Sequence, residues 1–192
     1  MIDALSTIAS RVLASWVRFT SNHPLSDSGP EPRGHSPVDR LAVFIATCAY
    51  VGYAPTAPGT FGSAAGLAAF VAVRATGSSA IELATIVTLF AVGVWSAGLA
   101  ERYFGGTDPG PIVMDEVAGM LITLAFLPVT VTGALVGFLV FRVLDVVKPW
   151  PSGRFEKLPG GWGVMADDGM AAIYGNVVMR LLIWVTPLGW LV

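Results

Sequence analysis

Six of the chain's thirteen acidic residues fall in three short blocks set within long apolar stretches. The blocks read Asp108-Pro-Gly-Pro-Ile-Val-Met-Asp115-Glu116, Phe141-Arg142-Val-Leu-Asp145-Val-Val-Lys148-Pro149 and Gly163-Val-Met-Ala-Asp167-Asp168. Carboxylates at the ends of membrane-length apolar stretches are costly, so they mark a site for a cation or a proton. Both histidines, His23 and His35, lie in a polar stretch near the start, and the single Cys48 sits in an apolar run. The donors are therefore hard oxygens, which favour Mg²⁺, an ion that binds through a few carboxylates, waters and substrate phosphate. With Arg142 and Lys148 close by, the pattern points to a metal-dependent phosphate site at a membrane surface.

Each block has a chemical reading and a plainer one. Asp115 and Glu116 open a helix, and adjacent helical residues diverge by about 100°. They can bracket a metal, or simply complement the helix dipole. Arg142, Asp145 and Lys148 are spaced by three and share a helix face. Asp145 can ligate the metal while the two cations address phosphate oxygens; otherwise the three neutralise one another. Asp167 and Asp168 repel and resist joint ionisation unless a cation compensates them. The plainer reading makes Asp167 the N-cap of the last helix. Pro58-Gly59-Thr60-Phe61-Gly62-Ser63 enters a helix whose free N–H groups suit a phosphate, with Thr60 or Ser63 adding a hydroxyl; Thr60 as an ordinary N-cap is the alternative. Glu82 and Arg180 read as interfacial or snorkelling charges.

The elements that must carry these groups are helices. The chain is 54% apolar and only 12% charged, about half the roughly 25% of a soluble domain. A net charge of -2 leaves no basic stripe for nucleic acid. The apolar runs cover 41–53, 61–75, 81–100, 112–127, 131–147 and 170–192, and none alternates like a strand. The expectation is an all-α, compact membrane bundle of about six helices, with roughly three to five true crossings. Residues 1–37 read as an amphipathic stretch followed by a Ser/Pro/Gly-rich linker, and 38–192 as one helical domain.

Connectivity then gathers the chemistry. The turns at 76–80 and 128–132 are short, so each joins antiparallel neighbours. Starting from Pro58, the second helix leaves one face and the third returns to Glu101-Arg102. The fourth leaves from Asp115-Glu116, the fifth returns to Asp145 and Lys148, and the last departs near Asp167-Asp168. Every charged block lands at one end. That end also carries Arg102, Arg154 and Lys157, so the positive-inside rule favours it as cytoplasmic.

Taken in order, these blocks resemble the phosphatidylglycerophosphatase A family of small bacterial membrane phosphatases. The resemblance runs from about Gly52 to Asn176. It rests on Pro58-Gly59-Thr60 with Gly62-Ser63, Asp108-Pro109 with Ile112-Val113, Asp115-Glu116 and Gly119, Phe141-Arg142 with Asp145 and Lys148-Pro149-Trp-Pro151, and Gly160-Gly161 with Gly163-Val-Met-Ala-Asp167-Asp168. Val164 stands where Ile is common and Ala172 where Gly is expected, both away from the proposed chemistry. The resemblance implies Mg²⁺-dependent removal of the terminal phosphate from phosphatidylglycerol phosphate, in a multi-pass protein of the bacterial inner (cytoplasmic) membrane.

On that basis Asp115, Glu116, Asp167 and Asp168 hold one or two Mg²⁺ ions, with Asp145 as a further ligand or general base. Arg142, Lys148 and the loop before Ser63 bind the phosphate, and an aspartyl-phosphate route is a second option. The competing class is a membrane cation or proton transporter, which needs its carboxylates at mid-depth rather than at helix ends. A transferase for CDP-activated alcohols also clusters aspartates, but its aspartate–glycine block followed by alanine–arginine is missing.

Overall fold

The computed structural model describes residues 36–185 and 190–192. The amphipathic stretch and linker expected before residue 36 lie outside the described residues. Those described form seven α-helices and one short 3₁₀ turn, with no strand among them. They are α1 (Pro37–Ala46), α2 (Pro58–Arg74), α3 (Ser79–Phe104), α4 (Met114–Leu124), α5 (Val131–Val147), α6 (Ser152–Phe155) and α7 (Gly161–Val185). The expected all-α bundle is what forms; the helix beyond the expected six is the single turn α6.

Local sequence explains most boundaries. Ser36 caps α1 and shares a reciprocal capping box with Asp39. Ser78 and Thr130 cap α3 and α5 through their hydroxyls, and Gly105 ends α3 in the left-handed conformation. Two runs depart from expectation. The 41–53 run leaves the helix after Ala46, where Cys48, Ala49 and Tyr50 all take positive φ and turn the chain back.

The last helix begins at Gly161, nine residues before its apolar run. Its glycines read as a loop, yet they serve close packing: a Cβ on Gly161 would collide with the Val94 carbonyl of α3. Asp167 and Asp168 therefore lie inside the second turn of α7, and Asp167 is not its N-cap.

The bundle is built around α4, whose Met114, Val117, Met120, Leu121 and Leu124 join Phe141 of α5 and Met165 and Met179 of α7 in one core. Nine of its eleven residues are buried, so it needs neighbours on nearly every side. Small residues let them approach. On α2 a Cβ at Gly62 would come within 2.8 Å of Val113 Cβ, and one at Gly66 within 2.7 Å of the Val117 carbonyl. Such small-xxx-small contacts bring backbones together where lipid leaves little hydrophobic force between helices.

At eleven residues, α4 is too short to cross a bilayer. Its C-terminal carbonyls therefore end inside the apolar bundle and need partners. The Asn176 amide of α7 donates to the carbonyls of Ile122, Thr123 and Ala125 at 3.0–3.2 Å, and Arg180 reaches Ala125 as well. Glu82, only 3% exposed, accepts from the Phe126 N–H at 2.9 Å and faces Arg74. Glu82 thus finishes the buried end of α4, which corrects its snorkelling reading, while Arg180 stays exposed and reaches the Ala125 carbonyl from the surface. Among the described residues, two helices, α3 and α7, are long and apolar enough to cross a membrane.

Candidate active site

The N-termini of α2 and α4, the C-terminal half of α5 and the second turn of α7 meet at one end of the bundle. Between them lies a cavity of about 230 Å³, lined in part by Pro58, Gly59, Asp108, Asp115, Glu116, Arg142, Asp145, Lys148 and Asp168. Three separate stretches of sequence thus bring their charges to one wall, as the turn lengths require, and α2 adds the uncharged Pro58 and Gly59.

α4 presents Asp115 and Glu116 from its first turn because Val113, its N-cap, is pinned by donating to the Ala46 carbonyl at 2.9 Å. The approach to α4 is held too, since the Asp108 N–H donates to the Glu101 carboxylate at 3.0 Å. On α5, Arg142 and Asp145 form an ion pair at 2.6 Å, and the same guanidinium lies 3.9 Å from Glu116. α5 then closes on Lys148, whose φ of +44° swings the chain out of the helix. Lys148 pairs with Asp167 on α7.

The carboxylates at the centre are incompletely satisfied. Asp115 Oδ1, Glu116 Oε2 and Asp168 Oδ2 are buried without a hydrogen-bond partner. A ligand atom from each of these three residues lies within 4.8 Å of the others. Buried polar atoms in folded proteins are otherwise almost always paired. Burial, then the neighbouring charges of Glu116 and Asp168, pushes the Asp115 carboxyl well above its ordinary range. Glu116 is raised by burial as well, with Asp115 and Arg142 pulling the other way. Three acids that resist ionisation together form an all-oxygen cage that a divalent cation would relieve, so the residues present fit a hard metal ion. Lys148 behaves oppositely: burial works against its charge, but Asp167 more than compensates and holds it above the usual lysine range.

The other sequence candidates fall around this cage. Asp167 is buried but absent from the cavity wall, engaged instead with Lys148. Ser63 is also buried and lies behind the wall, where it donates to the Gly59 carbonyl at 2.9 Å and accepts from Arg142 at 3.4 Å. Thr60 is exposed and outside the lining, and the N-cap of α2 is Ala57 rather than Thr60. Gly59, which the sequence offered only as part of a Pro-Gly entry, is the α2 residue closest to the chemistry. A Cβ there would collide with Glu116 Oε1 and stand 3.1 Å from the Arg142 guanidinium. Ser152 was also not anticipated; its hydroxyl donates to the Asp167 carbonyl at 2.7 Å.

A helical bundle that gathers unpartnered carboxylates, a guanidinium and an ammonium at one end has the composition of an enzyme for phosphate esters. Comparison with known proteins agrees. Residues 44–183 match the family described as Phosphatidylglycerophosphatase A. The Haemophilus influenzae phosphatidylglycerophosphatase A is 36% identical over 146 residues, spanning 75% of this chain and 87% of that protein. The Escherichia coli phosphatidylglycerophosphatase A is 33% identical over 140 residues, spanning 72% and 81%. A Bacteroides thetaiotaomicron protein, provisionally named as a phosphatidylinositol-3-phosphatase, is 32% identical over 152 residues, spanning 76% and 95%. No solved structure matches the chain. The chain belongs to the phosphatidylglycerophosphatase A family, and it is a phosphatase.

Proposed function

We propose that this phosphatase is Mg²⁺-dependent and hydrolyses phosphatidylglycerol phosphate to phosphatidylglycerol and inorganic phosphate. The observation that carries the reading is the trio of unpartnered buried carboxylate oxygens beside Arg142 and Lys148 in one cavity. The names of the Haemophilus and Escherichia relatives supply the lipid substrate.

Asp115, Glu116 and Asp168 would hold the cation. When bound, it supplies Lewis-acid polarisation of the phosphoryl group and lowers the pKa of an associated water. The remaining steps belong to the chain. Arg142, steadied by Asp145 and Ser63, and Lys148, steadied by Asp167, bind the non-bridging phosphoryl oxygens and stabilise the charge that develops there. Water oxygen bonds to phosphorus as the bond to the glycerol oxygen breaks. The water's proton passes to a wall carboxylate, a role we assign to Asp145, which then delivers it to the departing glycerol oxygen and is left ionised for the next turnover.

The transporter alternative finds no support: the carboxylates gather at one end of the bundle instead of threading it. We further infer a multi-pass inner-membrane protein whose site end faces the cytoplasm, a reading supported by Arg102, Lys148, Arg154 and Lys157 at that end.

The test is phosphate release by the purified full chain in detergent. Phosphatidylglycerol phosphate and phosphatidylinositol 3-phosphate are offered separately, each with Mg²⁺ or EDTA. The reading predicts Mg²⁺-dependent release that is faster from phosphatidylglycerol phosphate. Equal rates in EDTA, or preference for the inositol lipid, would overturn it.

A further inference from the structure

The adjacent carboxylates Asp167 and Asp168 look equivalent in sequence, yet they have different surroundings. Asp168 lines the cavity and keeps Oδ2 buried and unpartnered. Asp167 has both oxygens occupied: Oδ1 accepts from the Asp168 N–H at 2.8 Å, and Oδ2 accepts from the Lys148 ammonium. Its backbone carbonyl is fixed as well, by the Ser152 hydroxyl at 2.7 Å. It does not reach the cavity wall, whereas Lys148 does.

Lys148 is the residue that needs such a support. It stands at the left-handed end of α5, on a flexible four-carbon stem, beyond the helix geometry that would orient its ammonium. An ammonium has three donors, so one can be given to Asp167 while the others remain for phosphate oxygens. We propose that Asp167 is a positioning residue that holds Lys148 over the cavity, with Ser152 holding Asp167, and that the divalent cation is bound by Asp115, Glu116 and Asp168 without it. The inference rests on reading the cavity as a cation–phosphate site.

Two measurements on the full-length chain in detergent separate the roles: Mn²⁺ binding, as a spectroscopic probe for Mg²⁺, and the kcat/KM for phosphatidylglycerol phosphate. Asp168→Asn weakens Mn²⁺ binding at least about tenfold, while Asp167→Asn leaves it within about threefold. Asp167→Asn lowers kcat/KM by about as much as Lys148→Gln, roughly 10- to 100-fold, and the double variant loses little more than either single one. Ser152→Ala, the milder change, lowers kcat/KM by about threefold to tenfold with Mn²⁺ binding unchanged. It answers the question even if the buried Asp167 variant does not fold.

Loss of Mn²⁺ binding in Asp167→Asn equal to that in Asp168→Asn would overturn the assignment. So would additive losses from Asp167→Asn and Lys148→Gln, or weakened Mn²⁺ binding in Ser152→Ala. If Asp168→Asn itself binds Mn²⁺ normally, it is the cation-site reading that fails, and the double-variant comparison still decides whether Asp167 acts through Lys148.

Discussion

Gly59 shows how little room the chemistry leaves at the residue scale. Its missing side chain is where Glu116 and Arg142 sit, so Gly59→Ala must displace one of them. We expect kcat/KM to fall about 10- to 100-fold while the unfolding midpoint in detergent moves little, because the displaced groups are side-chain ends rather than backbone. A second expectation follows from the raised carboxyls of Asp115 and Glu116. Without a cation, a group whose folded pKa lies above its unfolded value stabilises fully only below the unfolded value, about 4. That contribution is lost as pH rises through the folded value. Mg²⁺ should therefore raise the unfolding midpoint more at pH 8 than at pH 5, in a thermal-shift series with and without the ion. The i, i+3 spacing of Arg142, Asp145 and Lys148 made this face legible in the sequence. The division between Asp167 and Asp168 was not, because it depends on where a left-handed helix end sends Lys148. Nor could Thr60 be told from Gly59, since the hydroxyl looked like chemistry and the absent side chain did not.

Among the elements, α4 is the one that fixes the site. Its first turn holds two of the three cage carboxylates, and its last turn stops inside the bundle under Asn176, Arg180 and Glu82. Replacing Asn176 with Ala leaves several carbonyls short of a donor, which costs about 1–3 kcal/mol. Chemical denaturation of the detergent-solubilised chain would measure it, and an unchanged midpoint would remove Asn176 from this role. Periodicity and turn signals located α2, α3, α4 and α5 within a few residues. They placed the start of α7 at Asp167-Asp168, six residues after Gly161, because Gly160, Gly161 and Gly163 carry loop chemistry by themselves. Their use as contact surface, Gly161 against Val94 of α3 and Gly163 against the Glu156 and Leu158 carbonyls, is a property of the packed structure. Glu82 was misread for a related reason: its partner is a backbone N–H 44 residues away.

For the whole molecule, the exterior matches an apolar surrounding. Val131, Leu135, Leu139, Val143 and Val146 make an exposed stripe down α5, and Ile173, Val177, Leu181 and Trp184 do the same on α7. Stripes of this kind on a water-soluble monomer would be an aggregation liability. In the proposed membrane setting, lipid would satisfy them and the charged end would lie beside the headgroups. In a chain with Cys48→Ser, a membrane-impermeant thiol reagent should label Arg154→Cys only after the cytoplasmic side is opened; labelling of intact cells from outside would reverse the orientation. That all three acidic blocks meet at one end was legible from turn lengths alone, since short turns leave antiparallel helices no choice. The most direct test of the central claim is Mg²⁺-dependent phosphate release from phosphatidylglycerol phosphate by the intact chain and by Asp168→Asn. The account predicts that the intact chain releases phosphate only with Mg²⁺ and that Asp168→Asn loses at least about a hundredfold. Full activity of Asp168→Asn, or of the intact chain in EDTA, would contradict it.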